Sequence, residues 1–166
     1  MTKYLKYLTN YVFIGAMGLG CILGGHWLWL GFVFAVIGTV GGDFLFGEHG
    51  EAPEYGYPQI ISWIMYSYLP GMVCLVLVFI WAMTPGDLFG IGGLVASATG
   101  YDALMAKASN HVVDDVGAAL GLGLVFAMVN VIGGHELIHR TWSQVSLFVG
   151  RWFFAMSGGV PFETEH

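Results

Sequence analysis

Residues 116–140 read VGAALGLGLVFAMVNVIGGHELIHR, and this stretch decides the fold. From Val116 to Gly134 no side chain is charged, and the run is long enough to cross a hydrocarbon layer of roughly 30 Å at about 1.5 Å per helical residue. Carried on through Arg140, the same helix would extend about 37 Å, so its closing hexapeptide, His135-Glu136-Leu137-Ile138-His139-Arg140, is expected to project just past the bilayer. Two imidazoles four positions apart lie on one helix face, near enough to share or to flank a metal ion, with Glu136 beside them.

The remainder of the chain agrees with a lipid solvent. Of its 166 residues 57% are hydrophobic and 10% charged, and mean hydropathy is +0.73, values that exclude an ordinary soluble domain. Its 26 glycines would weaken helices in water, but in lipid they let helices approach, and Gly20/Gly24, Gly38/Gly42 and Gly117/Gly121 have small-xxx-small spacing. The formal charge of −6 leaves no basic patch for nucleic acid. Cys21 and Cys74 sit in apolar stretches without paired spacing and read as buried hydrophobes. Lys3 and Lys6 precede the first apolar stretch, which is expected to be an uncleaved helix rather than a signal peptide, because further spans follow.

Tyr4 to Phe46 is too long for one span and right for a hairpin, with its turn near Gly24-Gly25-His26 and with Trp27 and Trp29 at the interface. A polar loop from Gly47 to Pro58 carries Glu48, His49, Glu51 and Glu54. The third span is expected at about Gln59–Met83, kinked at Pro70, and Thr84-Pro85-Gly86-Asp87 closes it as a turn. Leu88–Thr99 is too short to cross, and the polar run Tyr101–Asp115 follows it. With the next span at about Val116–Gly134, Lys3, Lys6, Arg140 and Arg151 fall on one side and only Lys107 on the other, which the positive-inside rule makes cytoplasmic. Ser143–Pro161 reads as an interfacial helix. The expected fold is an all-α integral membrane domain over 1–166, with about four transmembrane helices plus an interfacial helix.

His-Glu-x-x-His has two chemical readings. In a zinc peptidase both histidines hold one Zn²⁺ and the glutamate polarises its water, whereas in a di-iron protein they belong to a larger histidine cluster. A third reading is a non-catalytic membrane scaffold with a structural metal. Spacing leaves these open. In helical threes and fours back from His135 come Val131, Met128, Leu124 and Gly121, an apolar face that would line a path for a hydrocarbon, or else simply pack helices. Arg140 is expected to snorkel, and His26, His49 and His111 to be solvated or interfacial.

Gly133-Gly134-His135-Glu136-Leu137-Ile138-His139-Arg140 resembles the first histidine box of the membrane alkane 1-monooxygenase and xylene monooxygenase family, relatives of the membrane fatty acid desaturases. Gly42-Asp43-Phe44-Leu45-Phe46-Gly47-Glu48, followed by Pro53, is similar to the family's acidic signature, and Glu165-His166 matches the start of its second box. The family's later boxes are absent, so the resemblance implies that 1–166 is the N-terminal part of a longer desaturase-like helical bundle, truncated at the second box and inactive alone. It implies iron ligation by His135, His139 and His166 in a di-iron centre completed by histidines outside this chain, with Glu136, Glu165 and Asp43 orienting imidazoles. The implied reaction is hydroxylation of a hydrophobic hydrocarbon, at a terminal alkane or aromatic methyl C–H, to an alcohol with O₂. Electrons would come from a rubredoxin or ferredoxin-type protein and its reductase, at the cytoplasmic face of a bacterial inner membrane.

Overall fold

The computed structural model describes residues 6–41 and 56–159, which form helices and the turns between them, with no strand among the described residues. The expected hairpin forms. α1 (Thr9–Leu23) stops where Gly24 takes φ +66°, a left-handed value that glycine adopts freely, and α2 (Gly25–Gly41) begins at once as a 3₁₀ turn. A side chain at Gly24 would also stand 2.8 Å from the Ala106 backbone. α3 (Pro58–Met83) starts with proline at its first position, where no N–H is needed, and runs on through Pro70. α6 (Val112–Ile138) is equally continuous but widens over Phe126–Val131 into a π turn.

Contacts between helices set their directions. Tyr11 bonds to Ser67, Ile14 lies over Gly71 and Leu75 over Gly18, so α1 and α3 run parallel. His26 meets Asp114, Trp29 covers Gly117 and Phe32 abuts Gly121, so α2 and α6 run parallel as well. The four helices therefore go up, down, up and down. The intervening α4 (Ile91–Thr99) and α5 (Ala103–Ala108) leave and return at the end shared by the close of α3 and the start of α6. α5 sits inside the polar run Tyr101–Asp115, where the Asp102 carboxylate caps it by accepting the Met105 N–H at 3.0 Å. Lys6, Arg140 and Arg151 lie at the histidine end of the bundle and Lys107 at the other.

Two of these helices, Gln59–Met83 and Val112–Ile138, are long and apolar enough to cross a membrane. Only 22% of the first window and 39% of the second is buried, which separates them from the core helices of a soluble protein, whose apolar faces are hidden. Trp63, Val73 and Leu77 on α3 and Leu120, Val131 and Ile132 on α6 all face outward. Within the described residues α1, with 15 residues, rises about 22 Å and is shorter than a full crossing. Cys21 is buried as expected, but Cys74 is exposed on the outer face of α3.

Two polar groups close the end away from the histidines. Asp87 accepts the Trp81 indole N–H at 2.8 Å and the N–H groups of Gly92 and Gly93 at 2.7 and 3.0 Å, fastening the start of α4 to the end of α3. Lys107 donates to the carbonyls of Trp81 and Gly86 at 2.5 and 2.7 Å while its ammonium stands 4.5 Å from the Trp81 ring centroid, giving partners to carbonyls at the end of α3. The Gly93 and Gly92 N–H groups, with smaller help from Trp81 and Lys107 and against desolvation, hold the Asp87 carboxyl below its ordinary range. Its contribution to stability is thus complete above the unfolded value, near pH 4, and is lost as pH falls from there through the lowered folded value. Melts of the detergent-solubilised protein at falling pH should show a loss that Asp87→Asn flattens; the same acid slope in both proteins would contradict this role.

Candidate metal centre

The histidine motif sits at the very end of α6, and its geometry follows from how that end is closed. The helix stops at Ile138, two residues before the expected Arg140, because the last turn tightens: His139 takes φ −65° and ψ −12°, and the Arg140 N–H reaches back three residues to the Leu137 carbonyl at 3.2 Å. Leu137 is fully buried and anchors the turn. Behind it α7 (Gln144–Met156), capped by the Ser143 hydroxyl accepting the Ser146 N–H at 3.3 Å, folds back along α6. Phe153 and Phe154 seat on Gly133 and Gly134, where a β-carbon at Gly134 would stand 3.0 Å from the Phe154 ring, and Gly150 lies over Ile138. The glycine pair ahead of the box is thus a socket for two phenylalanines. The outer face of α7 presents Val145, Phe148 and Trp152.

This closure leaves His135 and His139 exposed, with Nε2 to Nε2 at 3.2 Å and ring centroids 4.5 Å apart. Imidazole nitrogens held about 2.1 Å from a single ion, at angles between square and tetrahedral, are separated by about 3.0–3.4 Å. At this separation one ring nitrogen hydrogen-bonds to the other, and the distance also falls within the bite of one shared ion. Glu136 turns to Arg140, whose Nη2 donates to its Oε1 at 3.0 Å, while Nη1 donates to the Ser62 hydroxyl at 2.6 Å. Arg140 does not snorkel. Its side chain is only 19% exposed and ties the end of α6 to the start of α3. Beside it the Tyr66 and Ser146 hydroxyls are 2.6 Å apart and join α3 to α7.

Among the described residues no third histidine, cysteine or carboxylate joins the pair to make a three-ligand group. Asp43, Glu165 and His166, and also His49, lie outside the described residues. Along the hydrocarbon stripe, Gly121 is buried, Leu124 and Met128 are half-buried and Val131 is exposed. The π turn shifts the helix phase from Phe126 on, but Leu124 leaves the buried face before it begins. The buried positions step by four throughout, from Gly117, Gly121 and Val125 to Val129, Gly133 and Leu137, whereas the stripe back from His135 alternates steps of four and three and so drifts off that face.

Two features escaped the sequence reading. His26, 92% exposed at its side chain, bonds through Nδ1 at 2.8 Å to the buried Asp114 carboxylate, whose second oxygen accepts the His111 N–H at 3.0 Å. Asn130, inside the π turn, is fully buried, and its amide has no hydrogen-bond partner among the described residues. An orphaned buried amide costs about 1–3 kcal/mol, so Asn130→Leu should raise the unfolding free energy by about that amount in a thermal or denaturant melt. A loss of stability would mean that the amide is satisfied after all. No protein-family model, curated protein or solved structure matches the chain.

Proposed function

We propose that the chain is part of an integral-membrane, non-haem di-iron monooxygenase of the alkane 1-monooxygenase and xylene monooxygenase kind, which converts a C–H bond of a hydrophobic hydrocarbon to an alcohol. The observation that carries this reading is the 3.2 Å approach of the His135 and His139 Nε2 atoms at the end of a helix long and apolar enough to span a bilayer. Nitrogen donors with that bite suit iron. In this reading His135 and His139 hold one ion, and His166 together with histidines outside this chain completes the centre. Bound iron supplies the activation of O₂.

The chain's own residues hold and shelter that chemistry. Leu137, seated under α7, fixes the turn that aims both imidazoles. Glu136 is held by Arg140 beside the pair, and Asp43 and Glu165 are assigned to orienting imidazoles. The four-helix bundle with α7 folded back along α6, in place of the expected interfacial helix, is read as the desaturase-like arrangement, with α1 and α2 completing their crossings. Lys6, Arg140 and Arg151 at the histidine end favour that end as cytoplasmic in a bacterial inner membrane, where a rubredoxin or ferredoxin-type donor and its reductase would reach it.

A zinc peptidase shares the bite, because tetrahedral ligands stand equally far apart. It also needs a carboxylate against the metal-bound water, whereas one Glu136 oxygen here accepts from Arg140. The test is isotopic. Full-length protein in nanodiscs, supplied with a reduced ferredoxin and ¹⁸O₂, is expected to place one labelled oxygen in the alcohol formed from octane or p-xylene. Label entering from water, or no alcohol at all, would overturn the reading.

A further inference from the structure

Next to His139 lies a cleft of about 720 Å³ walled by the first turns of α3, the end of α6 and the start of α7. It falls within the size range of small-molecule sites, about 300–1,000 Å³; His139 and Glu136 are part of its lining, and the oxygenase reading gives Trp63, Tyr66, Trp142 and Ser146 no role. Its floor is polar. Tyr66 and Ser146 meet there through their hydroxyls, Ser146 being almost wholly buried, while Ser62 and Glu136 hold the Arg140 guanidinium. Its lining is also aromatic: Trp63 and Trp142, 69% and 81% exposed, both border it. Such a cleft suits a molecule with a hydrophobic body and a hydrogen-bonding end.

The charge of that end follows from the Arg140–Glu136 pair. The guanidinium already donates to the Glu136 carboxylate at 3.0 Å, and Glu136 remains exposed, so an incoming carboxylate or phosphate would meet a negative group beside the positive one. A bare alkane gains least, because it would displace water from this polar floor without offering the remaining hydrogen-bonding capacity of the hydroxyl and guanidinium groups a replacement. We infer that this cleft is a subsite for the uncharged hydroxyl end of a single-chain amphiphile, with its alkyl chain against Trp63 and Trp142. The inference rests on the oxygenase reading for its catalytic meaning, namely that the substrate or product presented to His139 carries a hydroxyl, but the binding itself needs no metal.

The test is tryptophan quenching by brominated probes in phosphatidylcholine nanodiscs, using full-length protein treated with a chelator. 12-Bromododecan-1-ol is expected to quench saturably, with a midpoint at least tenfold below that of 12-bromododecanoate, while 1-bromododecane shows only unsaturable partitioning. The saturable part should vanish when Trp63→Phe and Trp142→Phe are combined, both being outward-facing positions, and phenylalanine at 63 keeps an aromatic ring beside Tyr66. Tyr66→Phe should weaken the alcohol by about tenfold while leaving the partitioning quench unchanged. Equal or tighter binding of the carboxylate, a saturable alkane, or displacement of the alcohol by phospholipid headgroups would each overturn the assignment. Because the protein is stripped of metal, a failure here leaves the isotopic result standing, and a failure of the isotopic test leaves the cleft's selectivity to be read on its own.

Discussion

Replacing His135 or His139 with alanine is expected to lower metal affinity by more than about 100-fold and to abolish turnover. Even groups that only orient a ligand typically cost about 10–100-fold when removed, and each of these residues supplies one of the two nitrogens set 3.2 Å apart. The fold should survive both changes, since the two rings are exposed and Leu137, Gly134 and Phe153 carry the packing at this end. Metal analysis together with the far-UV circular dichroism of each variant checks this. The double variant should be no worse than either single one, because a chelating pair acts as a unit. Retention of metal in both single variants would contradict the shared-ion geometry.

The second large effect is expected at Gly121. A β-carbon there would stand 2.9 Å from the Phe32 backbone nitrogen and 3.0 Å from the Met17 sulfur, at the crossing of α6 with α2 and α1. Backbone cannot yield as a side chain can. Gly121→Leu must push α2 off α6, and it should cost about 3 kcal/mol or prevent folding. Gly123, two positions on, has open space around it, so Gly123→Leu should change stability by no more than about 0.5 kcal/mol. Thermal midpoints of the two variants in the same detergent decide the matter. Equal effects would mean that the helices are not packed through Gly121 as described.

The parts of this architecture that local chemistry specifies were readable from the chain. The turn at Gly24-Gly25-His26 and the turn Thr84–Asp87 announce themselves through glycine and proline, and the α3 boundaries through the apolar run that they enclose. The surface course of Leu88–Thr99 followed from its length. What could not be read depends on partners distant in sequence. Arg140 looked like a snorkelling side chain because nothing near it names Ser62, 78 positions away. His26 is solvated as expected, but its bond to Asp114 could not be read because that partner lies 88 positions on. The π turn at Phe126–Val131 leaves no residue signature, so the straight helical stepping from His135 to Gly121 missed the phase shift. The Asp102 cap of α5 was legible, as an aspartate one position before a short run of helix formers, but the polar composition around it masked the signal. In the candidate site, the motif gave the ligand types and their common face, and only the structure gives their separation and the bond from Arg140 to Glu136.

The central claim is that this helix end delivers a chelating nitrogen pair to a redox-active iron centre. Metal analysis of the purified full-length protein tests it most directly: two irons per chain, lost in His135→Ala and His139→Ala, are the expected result. One zinc per chain with full activity, or a protein that works without metal, would contradict the account.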